Sequence, residues 1–356
     1  MGSDICGHAD INDADKLRDD AIDVWRQWLV VVHKPRRIEK IKVRRKTLAR
    51  ANANLAAGGD HSLALRRNRS IAGWGRNNFG QAPPDGIPGD FVAIAAGHNH
   101  AVALRRDGSI ACFGYNEYDQ APPDGIPGDF VAIAAGYEHT VALRRDGSIA
   151  CFGYNHYGQA PPDGIPGDFV AIAAGDTHSL ALRVDGSVAC WGRNDDGQAP
   201  PDGIPGDFVA IAAGYSNTVA LRRDGSIACW GVNNYGQAPP DGIPGDFVAI
   251  AAGAFHSLAL RRDGSVACFG YDGYGEAPPD GIPGDEAPPD GIPGDFVAIA
   301  AGEFHSLALR RDGSIACWGD NEYGQAPTPE DDEEDEVDDY ATLSANFPFM
   351  TDVHIM

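Results

Sequence analysis

A single repeat dominates this sequence and limits the folds that are open to it. The tripeptide Ala-Ala-Gly ends at seven glycines; the first six are 39 residues apart, and the last gap is 49. These glycines are Gly58, Gly97, Gly136, Gly175, Gly214, Gly253 and Gly302. A fixed period of this size indicates a stacked or circular array of supersecondary units.

Each unit carries three short apolar runs, which in the second copy are residues 91–97, 100–106 and 109–114. Their length, their Val, Ile, Leu and aromatic content, and their Gly, Asp and Asn boundaries are typical of strands. Asp107-Gly108 joins the last two runs and predicts a two-residue hairpin turn with positive φ at both positions. The first copy has Asn68-Arg69 instead, so its turn is the least secure.

The directions of the strands predict where the loops lie. If the three runs alternate in direction, the loop after Ala-Ala-Gly and the loop after Trp/Phe-Gly share one end of the unit. The Pro-rich connector excludes helix, and its ten residues reach roughly 30 Å as extended chain. It can therefore return along a seven-residue strand of about 23 Å. Radial packing of such small sheets predicts a β-propeller, with a linear β-solenoid as the alternative.

The unit resembles the repeat of the regulator of chromosome condensation family. The resemblance rests on AAGxxHSLAL at 173–182, Asp-Gly-Ser at 185–187 and WGxNxYGQ at 230–237, and it covers about residues 52–326. It implies an all-β, seven-bladed propeller with short blades of three to four antiparallel strands. In repeat length the units are similar to compact versions such as those of β-lactamase inhibitor protein II.

Three regions are expected along the chain. Residues 1–51 combine an amphipathic helix with a basic segment, 52–326 form the propeller, and 327–356 form an acidic, disordered tail and a C-terminal segment. The helix, over 13–33, is expected to dock on the propeller or to bind a partner or a membrane surface. A decapeptide is duplicated at 276–295. Lengthening a connector costs well under about 1 kcal/mol, so a bulged loop is expected rather than a broken ring.

Charge and hydropathy exclude several classes of protein. A net charge of −23 argues against non-specific nucleic-acid binding by the whole molecule. No apolar run reaches the length of a membrane-spanning helix. A basic segment indicates nuclear targeting, anion binding or a solvated helix face. It comprises Lys34, Arg36, Arg37, Lys40, Lys42, Arg44, Arg45 and Lys46. A cytoplasmic monomer is expected, with nuclear localisation as the alternative.

Two residue types recur at fixed positions, and both are interpreted as structural. A histidine follows Ala-Ala-Gly in six copies, and Asn217 replaces it in the seventh. Shared metal ligation would require all of these side chains to lie almost on the axis, so a hydrogen-bonding role is favoured. A cysteine recurs in six copies without CxxC pairs and is expected to be a buried apolar residue. No nucleophile elbow, phosphate loop or HExxH pair occurs. We therefore expect no enzyme activity, cofactor or metal.

The positions at which the copies disagree predict the functional surface. They lie directly after Ala-Ala-Gly and around the Asn after Trp/Phe-Gly, and they are rich in Tyr, Phe and acids. Such a composition is typical of protein-binding surfaces, although neutral drift on solvated loops is the alternative. The predicted protein-binding residues are His98, Asn99, Tyr115, Glu117, Tyr137, Glu138, Tyr154, His156, Asp176, Arg193, Asp195, Tyr215, Asn234, Phe255, Tyr271, Glu303, Phe304, Asp320 and Glu322.

The predicted function is a non-enzymatic module that binds a protein or peptide through this end of the propeller. The family resemblance raises two alternatives, a guanine-nucleotide exchange factor for a small GTPase and a substrate-recruiting propeller like those of ubiquitin ligases. Exchange predicts faster release of labelled GDP from a GTPase. The sequence contains no ligase domain, and the Pro-Gly-rich duplication is a poor match for an exchange wedge.

Overall fold

The computed structural model describes residues 55–278 and 292–327, and this part contains 21 β-strands in seven groups of three. The first strands of the groups are β1 (Leu55–Ala57), β4 (Phe91–Ala96), β7 (Phe130–Ala135), β10 (Phe169–Ala174), β13 (Phe208–Ala213), β16 (Phe247–Ala252) and β19 (Phe296–Ala301). The second strands are β2 (His61–Leu65), β5 (His100–Arg105), β8 (His139–Arg144), β11 (His178–Arg183), β14 (Asn217–Arg222), β17 (His256–Arg261) and β20 (His305–Arg310). The third strands are β3 (Ile71–Gly75), β6 (Ile110–Gly114), β9 (Ile149–Gly153), β12 (Val188–Gly192), β15 (Ile227–Gly231), β18 (Val266–Gly270) and β21 (Ile315–Gly319). The predicted N-terminal helix, the basic segment, most of the duplicated decapeptide and the acidic tail lie outside the described residues.

Each group of three strands forms one antiparallel sheet in sequence order, which we call a blade. Blades 1 to 7 follow the order of the chain. In blade 2, Ala103 of β5 pairs with Ile94 of β4 on one side and with Ala111 of β6 on the other. The connector adds one bridged residue at the outer edge, where Ile110 and Ile126 exchange two hydrogen bonds of 2.9 Å. The prediction of short blades with three to four antiparallel strands is confirmed.

The turn between the second and third strands differs from the predicted two-residue hairpin, and that prediction was wrong. In blade 2, Gly108 N–H donates to Arg105 C=O, Arg105 N–H donates to Ser109 C=O, and only Gly108 has positive φ. This is the three-residue loop, a tight turn followed by a left-handed glycine. Asp107 keeps negative φ because its carboxylate accepts hydrogen bonds from Ser109 N–H and Oγ–H, at 2.9 and 2.7 Å.

The seven blades close into a ring, as a β-propeller does and a linear solenoid does not. The first strands of neighbouring blades contact one another around the ring, and β1 also contacts β19 and β20 of blade 7. At the closure, Ser62 Oγ and Trp74 Nε1 of blade 1 each donate to Gln325 C=O at 3.0 Å. The short β1 thus closes the ring. Beside the insertion, Ile292 bridges Val266 at the outer edge of blade 6 as the equivalent residues do elsewhere, and His256 of blade 6 still contacts Ser306 of blade 7.

The hydrophobic core lies between neighbouring blades rather than inside any one of them. Leu180 and Val188 of blade 4 pack with Phe208 and Ala220 of blade 5, and all four are buried. Ala220 is in the middle strand, where a larger side chain would separate the two sheets. Alanine thus allows the two sheets to approach closely at this position.

Buried polar contacts also join one blade to the next. His139 Nε2 of blade 3 lies 2.8 Å from Ser179 Oγ of blade 4, and this hydroxyl donates to Gln159 C=O of blade 3 at 3.0 Å. A Ser or Thr side chain of one blade is therefore held by a histidine and a backbone carbonyl of the blade before it. The same histidine contact is made by His100, His178, His256 and His305, at 2.9 to 3.1 Å.

Two of the seven joints lack this histidine contact. Blade 2 has Ala101 where other blades have Ser or Thr, and both ring nitrogens of the buried His61 are without a hydrogen bond. At the joint between blades 5 and 6, Asn217 replaces the histidine, and its amide is likewise buried without a partner. The recurring histidines thus have hydrogen-bonding roles between blades, and these two substitutions leave the pattern incomplete.

The recurring cysteines are structural, as their sequence positions predict. Cys112, Cys151, Cys190 and Cys229 are buried, and Cys268 and Cys317 are half-buried; all six are free thiols. Burial raises the pKa of each of these thiols to about 12. Throughout 55–278 and 292–327 there is no helix that could span a membrane.

Candidate functional site

Both sets of variable loops lie at one end of the propeller, which we call the loop face. In blade 2 the Tyr115 N–H donates to Asn99 C=O at 2.9 Å, and in blade 6 the Tyr271 N–H donates to Phe255 C=O at 2.8 Å. The equivalent bond occurs in all seven blades. Each residue after Trp/Phe-Gly is thus tied to the loop after Ala-Ala-Gly, as the strand directions predict. The turns between second and third strands lie at the opposite end, the turn face.

The loop after each third strand is held rigidly by two side chains of the repeat. In blade 2, Asn116 Oδ1 accepts from Ala121 N–H at 2.8 Å, and Gln120 Oε1 accepts from Tyr118 N–H at 2.9 Å. Equivalent pairs recur in every blade, with Asp272 and Glu276 in place of Asn and Gln in blade 6. The side chains between these anchors are presented on a fixed backbone.

The structure adds a set of aromatic residues that the sequence prediction missed. Six blades end this loop with a Phe or Tyr whose exposed fraction is between 39% and 55%. These rim aromatics are Phe79, Tyr118, Tyr157, Tyr235, Tyr274 and Tyr323, and Asp196 takes the position in blade 4. They belong to the YGQ part of the repeat, which looks like scaffold because it barely varies. The sequence did contain a signal for these residues: an aromatic side chain recurs in a polar loop, where no apolar run indicates that it is buried.

Four of the six rim aromatics extend the aromatic surface onto the next blade. Phe79 contacts Tyr115 and Tyr118 contacts Tyr154, both at 5.1 Å between ring centroids, and His156 packs edge-on against Tyr157 at 4.9 Å. We call these six rings of blades 1 to 3 the first aromatic arc. Arg193 of blade 4 ends it by lying over Tyr157 at 5.5 Å.

A second aromatic arc covers blades 5 to 7. It comprises Tyr215, Tyr235, Phe255, Tyr271, Tyr274 and Phe304, which form a continuous network of ring contacts. Its shortest contact is 5.0 Å, between Tyr235 and Tyr271. The two arcs are separated at blade 4, where Asp196 replaces the rim aromatic. At the other junction Arg76 of blade 1 lies over Tyr323 at 5.2 Å.

The seven Ala-Ala-Gly segments line a cavity of about 150 Å³ on the propeller axis at the loop face. Glycine is required in this ring. A Cβ on Gly136 would lie 2.3 Å from Gly175 C=O of the next blade and 2.3 Å from its own blade's His139 Cε1. We call this cavity the axial cup. The residues that follow the glycines form its wall: Gly59, His98, Tyr137, Asp176, Tyr215, Ala254 and Glu303.

The axial cup is acidic and aromatic. His98 Nδ1 lies 2.9 Å from Glu303 Oε2, and the His98 ring stacks on Tyr137 with centroids 4.0 Å apart. Burial, together with the nearby charge of Glu303, raises the pKa of the Asp176 carboxyl to about 6. The carboxylate of Asp176 also raises the pKa of the Tyr215 hydroxyl. The wall therefore holds carboxyl groups that are poorly compensated by basic ones.

The sequence-predicted residues occupy three zones of the loop face. Five of them line the axial cup: His98, Tyr137, Asp176, Tyr215 and Glu303. Six more lie in the aromatic arcs: Tyr115, Tyr154, His156, Phe255, Tyr271 and Phe304. Arg193 lies at the end of the first arc. The remaining residues belong to the same loops and contribute polar groups: Asn99, Glu117, Glu138, Asp195, Asn234, Asp320 and Glu322. Three of these acids are engaged locally, since Tyr115 OH donates to Glu117, Arg193 Nε donates to Asp195, and Gln325 Nε2 donates to Asp320 at 3.1 Å.

Comparison with solved structures finds the same fold in proteins of low sequence identity. The chain is similar to the CRINKLY WD40 ectodomain of the Arabidopsis thaliana receptor kinase ACR4, at 22% identity and a TM-score of 0.59, covering 77% of this chain and 98% of that one. It is similar to yeast RCC1 (Prp20), at 20% and 0.58, covering 78% and 81%. It is also similar to human WBSCR16, at 20% and 0.60, covering 71% and 85%. No curated protein sequence matches the chain.

A family model matches every blade. The model, named regulator of chromosome condensation (RCC1) repeat, matches residues 53–81, 91–120, 130–159, 169–198, 208–237, 247–276 and 296–325. These segments make up more than half of the chain, and each one supplies the three strands and the following loop of a blade. The chain therefore belongs to the regulator of chromosome condensation repeat family.

Proposed function

We propose that this protein is a non-enzymatic interaction module that binds a protein or peptide through its loop face. The observation that carries the proposal is the pair of aromatic arcs on a rigid backbone. Tyr235 and Tyr274 leave more than half of their side-chain surface in water, although each one packs against an aromatic ring of the following blade. Aromatic rings held in place at low entropic cost are the residues that most often anchor protein interfaces.

The polar residues around the arcs also support a protein partner. Acids such as Glu117, Glu138 and Glu322 belong to the same loops as the rings, so the loop face combines exposed aromatic rings with polar groups beside them. Protein interfaces combine a desolvated core with a solvated rim. One of the similar structures, yeast RCC1, was solved bound to Kap60. Nucleotide exchange and substrate recruitment for ubiquitination stay predictions of the resemblance.

The test compares one variant in each arc with a matched variant on the turn face. The full chain, Tyr154→Ala, Tyr271→Ala and Val184→Ala are immobilised, and captured proteins are quantified by mass spectrometry. Val184 is the control because it is a 63% exposed apolar residue beside a turn between second and third strands. A hot-spot tyrosine contributes at least about 2 kcal/mol. We therefore expect a specific partner to be lost more than tenfold by an arc variant and kept by Val184→Ala.

The proposal fails if both arc variants capture the same proteins, in the same amounts, as the unaltered chain. Thermal unfolding of each variant checks that the propeller is intact. Surface substitutions usually change stability by no more than about 0.5 kcal/mol, so equal melting temperatures are expected. An arc variant that melts much lower is replaced by the phenylalanine variant, which keeps the ring and removes the hydroxyl.

A further inference from the structure

We propose that the axial cup binds a cationic side chain, an arginine or a lysine, of the protein partner. This inference rests on the proposed function and makes it more specific, because it identifies one chemical feature that the partner must carry. The argument uses three properties of the cup: the Asp176 carboxylate, the aromatic walls and the size of the cavity.

The cup wall contains more acidic than basic groups. Asp176 and Glu303 line it, and His98 is the basic side chain of the lining residues. The His98 ring is already engaged, with Nδ1 2.9 Å from Glu303 Oε2. Within the described part of the chain, the Asp176 carboxylate has no hydrogen bond or ion pair. Its backbone N–H bonds to Gly214 C=O at 3.2 Å, which orients the residue but leaves the carboxylate open to a ligand.

The environment of Asp176 indicates the sign of that ligand's charge. Burial raises the pKa of this carboxyl to about 6; the charges of Glu303 and Glu138 act in the same direction, and those of His98 and Arg193 act against it. A cation bound beside the carboxylate would reverse the effect, because an opposite charge within about 4–6 Å favours the ionised form. An anionic ligand would meet the same three acids and be repelled. A neutral ligand would leave the carboxylate buried without compensation.

Two tyrosines complete the cation site. Tyr137 and Tyr215 occupy the positions before and after Asp176 around the ring. Burial and the charges of Glu303 and Asp176 raise the pKa of the Tyr137 hydroxyl, and the charge of Asp176 is the largest cause of the raised pKa of the Tyr215 hydroxyl. Cations are attracted to aromatic faces within about 6 Å of the ring centre, and arginine is the commonest cation in such contacts. A carboxylate between two aromatic rings therefore favours a guanidinium or ammonium group over a small hydrated ion.

The cup is large enough for such a group. Its volume of about 150 Å³ far exceeds the roughly 10–15 Å³ that one water requires. The glycine ring at its base has no side chains, so a long side chain can enter along the axis from the loop face. Surrounding contacts on the arcs would hold the backbone of the partner while one basic residue enters the cup.

A charged peptide and its neutral counterpart test the inference directly. The probe is a fluorescently labelled, blocked tetra-arginine peptide, and the matched peptide contains citrulline, which has a similar shape without the charge. Binding to the full chain is measured by fluorescence anisotropy at low ionic strength. We expect the arginine peptide to bind at least tenfold more tightly than the citrulline peptide.

Matched variants separate the cup from other acids of the chain, including the acidic tail. Asp176→Asn removes the cup charge, whereas Asp124→Asn removes an exposed charge from a connector close to the turn face. Both variants keep the tail, so its contribution to peptide binding is the same in each. We expect Asp176→Asn to weaken binding of the arginine peptide about tenfold, the fold-change for loss of a charge-assisted contact of about 1.4 kcal/mol. Asp124→Asn should change it less than twofold.

A readout at the site itself accompanies the affinities. In carboxyl-labelled protein, NMR titration should show the pKa of Asp176 falling when the arginine peptide is bound, and not when the citrulline peptide is added. If Asp176→Asn does not fold, Glu303→Gln replaces it in the comparison. The inference would be overturned if the Asp176 and Asp124 variants bound the arginine peptide with equal affinity. It would also be overturned if the pKa of Asp176 did not change when the arginine peptide was added.

The failure of this inference is distinguishable from failure of the proposed function. If the arc variants lose a partner while Asp176→Asn keeps the arginine peptide, the loop face is an interface and the cup is not a cation site. If the arc variants lose nothing but Asp176→Asn loses the peptide, the cup binds cations and the arcs are not an interface.

Discussion

The buried histidines make a quantitative prediction about stability in acid. Six histidines, one in each blade except blade 5, are fully buried: His61, His100, His139, His178, His256 and His305. Burial lowers the pKa of each of them from 6.5 to about 3 or 4. The folded protein therefore keeps these rings neutral at pH values at which the unfolded chain protonates them.

The sign and size of the effect follow from proton linkage. The folded-state pKa values lie below the unfolded ones, so the contribution to stability is fully present above about pH 6.5 and is lost as the pH falls towards the folded values. Between pH 7.5 and 5.5 each histidine costs about 1.4 kcal/mol, and the six together cost about 8 kcal/mol. The raised pKa of Asp176 has the opposite effect on stability below pH 6, and its contribution is smaller than the loss caused by one histidine. The lowered pKa values of Asp107 and its equivalents in the turns matter only at still lower pH.

A loss of this size is comparable to the whole stability of many domains, so we expect the propeller to unfold between about pH 6 and 5. Urea unfolding, followed by tryptophan fluorescence at a series of pH values, measures the free energy of unfolding directly. His178→Asn introduces the residue that blade 5 has naturally. It should reduce by one the number of protons that the protein takes up when it unfolds in acid. His156→Asn makes the same chemical change on an exposed loop and is the matched control outside the core. A free energy of unfolding that varies by less than about 2 kcal/mol between pH 7.5 and 5.5 would refute the reasoning, because single histidines alone account for about 1.4 each.

Three further predictions concern the joints, the turns and the axis. Ala101→Ser gives buried His61 a hydroxyl partner and should stabilise the protein by about 1 kcal/mol. Ser179→Ala removes such a partner and should destabilise it by about 1–3 kcal/mol. Urea unfolding measures both changes in the free energy of unfolding, and equal changes in the two variants would contradict the prediction. Arg69 has a φ of 68° where other blades have glycine; Arg69→Gly should raise the free energy of unfolding by up to about 1 kcal/mol, and Arg69→Ala, which keeps the strain, should not. Gly175→Ala places a Cβ 2.4 Å from a glycine carbonyl of the next blade and should cost about 3 kcal/mol; a melting temperature equal to that of the unaltered chain would show that the ring yields.

The sequence by itself determined the repeat, the strands and the end of the propeller at which the variable loops meet. Strand length, alternating direction and turn residues depend on the backbone preferences of nearby residues, which are legible within one 39-residue unit. The same local reasoning erred on the Asp107-Gly108 turn, because an Asp-Gly pair suits both a two-residue and a three-residue loop. In the structure the loop has three residues, and the Asp107 carboxylate accepts a hydrogen bond from Ser109 N–H.

Only the tertiary structure decided which side chains meet across blades. The partner of His139 is a serine 40 residues away in the next repeat, and the axial cup gathers one short segment from each of seven repeats. The rim aromatics became candidate binding residues only when the structure showed that they are exposed and stacked against the following blade. Such contacts depend on how far each sheet is rotated from its neighbour and on closure of the ring. Those quantities come from packing of whole blades, and no single unit of the sequence contains them.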